Sequence, residues 1–159
     1  MRTTLSRGAL RGAAAGAAGT TALNAVTYLD MVLRGRGRGT SSTPEDTVEK
    51  LSDKIHVPVP GEGDERDNRV SGLGALTGIV SGVGIGGLLG VVRTAGWRPG
   101  ILAGSTAATL GALLGTNGPM TTLGITDPRT WPPSSWVSDV VPHLAYGVVT
   151  ACVVAGLDR

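Results

Sequence analysis

Charge falls along this chain in blocks rather than evenly. Four stretches contain no Asp, Glu, Lys or Arg: Gly12 to Leu29, Val70 to Val92, Pro99 to Thr126 and Val140 to Leu157. Together they hold 87 of the 159 residues. A helix facing water carries charge on its outer face, whereas a helix crossing a bilayer needs roughly 20 mostly apolar residues. The pattern predicts an all-α fold: a single membrane domain, residues 1–159, built as a bundle of four transmembrane helices at about 10–33, 70–92, 99–115 and 135–157.

The connections follow from the polar positions. Residues 39–69 form a polar extramembrane excursion. In it Thr43 is placed to cap a helix, Pro44 suits the first helical position, and Glu45 and Asp46 complement the positive end of the helix dipole. Val48, Leu51 and Ile55 recur at spacings of three and four, so a short amphipathic helix is expected in the loop between helices 1 and 2. The segment from His56 to Gly61, with prolines at 58 and 60, stops it, and Glu62 to Arg69 reads as a solvated linker. Arg93 to Arg98 is brief enough to make spans two and three a hairpin. Asn117-Gly118-Pro119 reads as turn residues that end the third span. Trp131 and Trp136 are expected at the membrane boundary, where an indole meets both lipid and water.

The strongest local pattern lies in the second span. Gly74, Gly78, Gly82, Gly86 and Gly90 recur at every fourth residue, which clears one helix stripe of side chains and lets another backbone approach. This is a helix-packing surface, within one chain or between copies. Residues 82–87 also satisfy GxGxxG, but a dinucleotide site needs a strand before it and an acid about 20 residues on. The first acid downstream is Asp127, so a dinucleotide cofactor is excluded.

Composition adds to this picture. The chain has 26 Gly, five aromatic residues and no Phe, a supply of small side chains suited to close helix contact in lipid. A net charge of +2 from 14 basic and 12 acidic residues gives no nucleic-acid footprint. Cys152 is alone, which excludes an intramolecular disulfide and a CxxC metal site, and it is expected as a small packing residue. Twelve Arg against two Lys in a Gly- and Ala-rich chain suggests a GC-rich bacterial genome, hence the bacterial cytoplasmic (inner) membrane. A cleaved signal peptide is the weaker reading of the N-terminus, because the apolar run continues to Leu33.

Four spans put both termini on one side. Basic residues number six there (Arg2, Arg7, Arg11, Arg93, Arg98, Arg159) and eight on the other side (Arg34, Arg36, Arg38, Lys50, Lys54, Arg66, Arg69, Arg129). That count opposes cytoplasmic termini. The two short connections favour them, with Arg93 and Arg98 in one against Arg129 in the other, and both termini are expected in the cytoplasm.

Ionisable residues inside a span are costly in lipid and mark where function resides. Asp30, Asp139 and His143 qualify. An up-and-down topology brings Asp30 and Asp139 to the same membrane face. Asp139, His143 and Tyr146 share one helical stripe, and Asn24 lies one turn from Tyr28 in the first span. A hydrated cluster of Asn24, Asp30, Asp139, His143 and Tyr146 suits cation binding or proton relay, since imidazole changes charge near neutrality. Each group also has a structural reading. Asp30 can pair with Arg34, Asp139 in a first turn complements the dipole, and His143 can donate to a carboxylate or carbonyl.

Enzymatic motifs are lacking: there is no GxSxG, no GKS or GKT phosphate loop, and no HxH, HExxH or ExxH spacing. Neither a metal nor a cofactor is expected. In the segments Gly16 to Asp30, Gly118 to Trp131 and Asp139 to Tyr146 the chain resembles small four-span actinobacterial membrane proteins. Its span count and Leu123-Gly-Ile-Thr-Asp-Pro128 loop are more distantly similar to the YagU-like inner-membrane family, which the resemblance associates with acid tolerance. The first expectation is a non-enzymatic structural or accessory component packed through its glycine stripe, with the bilayer and a second copy or another membrane protein as partners. The alternative is a small proton- or cation-handling transporter or channel-like protein.

Overall fold

The computed structural model describes residues 4–35 and 44–157. The cap expected at Thr43 and the charges of Arg2, Arg36, Arg38 and Arg159 lie outside them. The described residues form five helices and no strand: α1 Leu5–Arg34, α2 Pro44–Ile55, α3 Gly63–Thr94, α4 Ile101–Thr122 and α5 Pro133–Leu157, with a 3-10 turn at Pro128–Thr130. The GxGxxG segment sits inside α3 with no strand before it.

Two boundaries differ from the sequence reading, each for a physical reason. α3 starts at Gly63, so Glu62 to Arg69 is mostly helix rather than linker. Asp64 and Glu65 occupy its first turn, where they complement the dipole, and Glu65 pairs with Arg69 at 2.7 Å. α4 runs through Pro119 to Thr122 instead of ending near Gly115. A proline removes one backbone donor, but the residues after it retain theirs, and Leu123 N donates to the Pro119 carbonyl at 2.9 Å. Burial of Met120 and a side-chain bond from Asn117 outweigh the lost donor. α1 ends where expected, at Gly35, whose φ of +60° is the left-handed conformation glycine adopts cheaply.

Contacts between the long helices run in opposite sequence directions. Gly8, Gly12 and Gly16 meet Gly90, Gly86 and Gly82, so α1 and α3 are antiparallel. Gly19 meets Tyr146 and Thr150, while Asp30 meets Ser138, so α1 and α5 are antiparallel too. Gly104 meets Ala151 and Asn117 meets Asp139, giving the same relation for α4 and α5. The result is an up-and-down bundle of four long helices. One end carries the start of α1 and the turn from α3 to α4. The other carries α2 and the segment between α4 and α5. α2 lies on α3, where Arg66 donates to Glu49 at 2.9 Å.

Small residues fill most of the interior, with Tyr146, Leu89 and Met120 among the large buried ones, and many large apolar residues cover the outside. The buried residues of α1 are Gly8, Gly12, Ala15, Gly16, Gly19 and Thr20. By contrast Leu102 is 83% and Leu114 72% exposed, and Cys152, expected as a packing residue, lies on the outer face of α5. Several hydroxyls are tied back into their own helices, as in Thr106 to Leu102 O at 3.0 Å and Thr77 to Leu73 O at 2.9 Å. Two helices, α3 and α5, are long and apolar enough to cross a membrane, with mean hydropathy of 2.0 and 1.8 in their most apolar stretches.

Candidate functional site

The predicted glycine stripe divides into three environments. Gly86 and Gly90 lie against the α1 backbone, and Gly82 lies against the Thr20 side chain with its carbonyl towards Gly16. A Cβ added at Gly86 would stand 2.5 Å from the Gly16 Cα and 2.7 Å from its nitrogen, closer than any side chain tolerates. Gly74 lies against Glu45 of α2, and Gly78 has nothing within 4 Å. The seam's other half, Gly8, Gly12 and Gly16, escaped the sequence reading although it repeats the same spacing of four.

The seam ends at Gly82, where larger groups take over. Thr20 donates to the Gly16 carbonyl at 2.8 Å. Tyr146, 1% exposed, donates its hydroxyl to the Gly82 carbonyl at 2.7 Å. Beyond this level the long helices enclose a cavity of about 320 Å³. Tyr146 and Gly82 line its inner end, and Pro44 of α2 lines it from the loop end.

Four of the five predicted polar residues line this cavity: Asn24 from α1, and Asp139, His143 and Tyr146 from α5. Asp30 does not line it. Its carboxylate pairs with Arg34 at 2.6 Å and accepts from Ser138 Oγ at 3.3 Å. Asp30 and Asp139 therefore share one end of the bundle but have separate partners. Two lining residues outside the predicted set bond directly to it. Asn117 reads as a turn residue in Asn-Gly-Pro, yet its amide donates to Asp139 Oδ2 at 2.8 Å. Thr116, one residue earlier, places Oγ1 3.2 Å from His143 Nε2.

The position of Asp139 weakens its structural explanation. α5 begins at Pro133 and has no acid in its first turn, so Asp139 sits a turn deeper than the dipole argument requires. Pro142 contributes as well, because it has no N–H for the Ser138 carbonyl four residues earlier.

The imidazole is held in a defined tautomer. His143 Nδ1 lies 2.7 Å from the Asp139 carbonyl oxygen, which only accepts, so Nδ1 carries a hydrogen. Thr116 also lies 2.9 Å from the Ala112 carbonyl. With neutral His143, the Thr116 hydroxyl donates to Nε2. With protonated His143, Nε2–H donates to Thr116 Oγ1 and the hydroxyl turns to Ala112 O. Both protonation states are fully hydrogen-bonded, so a proton can enter without leaving a buried group unpaired. Asp139 Oδ1 is 3.6 Å from Nδ1.

The loop after α4 closes the same end. Asp127 accepts from Arg129 Nε at 2.9 Å, and this side-chain bond holds its carboxyl below the usual carboxylate range. Trp131 donates to Thr126 Oγ1 at 2.7 Å and packs edge-on against Trp136 with centroids 5.2 Å apart. No protein-family model, curated protein or solved structure matches the chain.

Proposed function

We propose that the chain is a four-span integral protein of a bacterial cytoplasmic membrane, in which a glycine seam holds the bundle together and a one-sided polar cavity handles protons or small cations. The cavity carries this reading. It gathers Asn24, Asp139, His143 and Tyr146 from helices more than 100 residues apart in sequence, together with Thr116 and Asn117. Its titratable groups are Asp139, His143 and Tyr146 of α5 and Tyr28 of α1; α3 and α4 contribute none. Glu45 of α2 lies beside it at Gly74.

The inside-out distribution of side chain size supports four spans. Helices without a hydrophobic force between them associate through small residues and put large apolar ones towards lipid. α4 carries no charge at all, and its Gly, Ser, Thr, Asn and Pro content is what lowers its hydropathy. Gly82 falls near the middle of the run Val70 to Val92, which puts the Tyr146 floor near the bilayer midplane. At the loop end four of six described basic residues are ion-paired (Arg34, Arg66, Arg69, Arg129). Arg93 and Arg98 at the short α3–α4 turn, against Arg129 alone in the α4–α5 connection, favour cytoplasmic termini and a cavity that opens outward.

A second reading, a non-enzymatic accessory component, is favoured by the seam itself. Because Gly82, Gly86 and Gly90 are occupied within the chain, that reading requires any homo-oligomer or other partner to use a different face. Flux in proteoliposomes separates the two. Cation- or pH-dependent flux that Asp139→Asn or His143→Ala abolishes, with assembly intact, supports the cavity reading; no flux in the wild type supports the accessory one.

A further inference from the structure

The cavity's shape and donor set narrow the ligand beyond a cation in general. We infer that it binds a primary organic ammonium with a short apolar body, the nitrogen at Asp139 and the carbon chain against α3 and α4. This rests on the cation-handling reading above and specifies its substrate class.

Among the described residues the lining includes a carboxylate and no Lys or Arg, which disfavours an anion. Asn117 occupies Oδ2 of Asp139, while Oδ1 has no hydrogen-bond donor among the described residues. The Asn24 side chain likewise has no hydrogen-bond partner among them, so its carbonyl is open to a donor. With Thr116 Oγ1 these make three acceptors from three helices, matching the three N–H groups of a primary ammonium.

A dehydrated inorganic cation fits less well. Hard cations take six or more oxygen ligands, whereas one Asp139 oxygen and the His143 Nδ1 are already committed. Space points the same way. The volume of about 320 Å³ is roughly twice the apolar cavity of about 150 Å³ that holds a benzene, room for roughly a dozen non-hydrogen atoms. Leu23, Ile79, Ile85, Ala112 and Met120 supply apolar wall for such a body.

The test is calorimetric titration of the full chain in nanodiscs with hexylammonium, 2-phenylethylammonium, methylammonium, tetramethylammonium, hexanol and hexanoate. Hexylammonium and phenylethylammonium are expected to bind. Tetramethylammonium, which has no N–H, and the neutral and anionic analogues are expected not to. Losing a charge-assisted contact in Asp139→Asn should weaken hexylammonium by at least about tenfold. Since Asp139→Asn also alters a structural bond, Gly78→Leu is the second variant. Its side chain enters open space and should exclude the two larger amines while methylammonium still binds.

Hexanol binding as well as hexylammonium, or unchanged hexylammonium binding in both variants, overturns the inference. Thallium(I) binding that depends on Asp139, without binding of any organic ammonium, overturns it and leaves the cation reading standing. If neither class binds, both fall.

Discussion

The two halves of the bundle use the same helices differently. In the terminal half, α1 and α3 touch through Gly8, Gly12 and Gly16 against Gly90, Gly86 and Gly82, with backbone directly on backbone at Gly12, Gly16, Gly86 and Gly90. In the loop half, the same two helices face each other with Asn24 and Tyr28 on one side and Gly74 and Gly78 on the other, across a cavity. Glycine alone does not decide the outcome, since Gly78 is as small as Gly86 yet faces open space. What differs is the partner. A glycine opposite a glycine closes the gap, whereas one opposite Leu23, Asn24 and Tyr28 leaves a pocket whose floor is the Tyr146 phenol.

This contrast is broken most severely at the seam. Gly86→Leu sets a side chain against the Gly12 and Gly16 backbones and should cost about 3 kcal/mol or more, seen as loss of a monodisperse, cooperatively melting species in detergent. Gly78→Leu should melt like the wild type. Equal behaviour of the two variants would mean that the seam is not what holds the bundle.

The cavity wall comes next. Asn117→Ala removes a hydrogen bond to a carboxylate and should lower stability by about 1.5 kcal/mol, read from thermal unfolding, together with altered cation response. A change in stability alone would make Asn117 a structural residue only. Tyr146→Phe removes the hydroxyl bond to Gly82 O and should cost about 1 kcal/mol without disturbing the seam, because Gly19 and Gly16 remain packed.

The smallest effect is expected outside both halves. Asp30→Asn loses the partly exposed pair with Arg34 and should cost about 0.3–0.5 kcal/mol, with flux unchanged. Abolished flux in this variant would extend the functional cluster to Asp30.

Much of this was legible locally. The charge blocks outline the long helices, Pro44 and the Val48, Leu51, Ile55 spacing outline α2, and the i, i+4 spacing puts Asp139 and His143 on one stripe. What was hidden is what depends on which faces meet. Asn117 looked like a turn because Asn-Gly-Pro usually is one, and only the approach of α5 gives its amide a carboxylate. Thr116 had no signal of its own. Cys152 looked like a packing residue because apolar runs do not say which side faces the interior. The α1 glycines repeat the spacing of four, but only the approach of α3 makes them the partner of its stripe.

If the cavity opens at the loop end and the glycine seam closes the terminal end, a thiol placed inside it is reached from one face only. In a Cys152→Ser background, Asn24→Cys is exposed to a membrane-impermeant thiol reagent in vesicles of each orientation. Labelling from the face that carries the α2 loop, and from that face only, is the predicted result; labelling from the face of the termini, or from neither face, would contradict it.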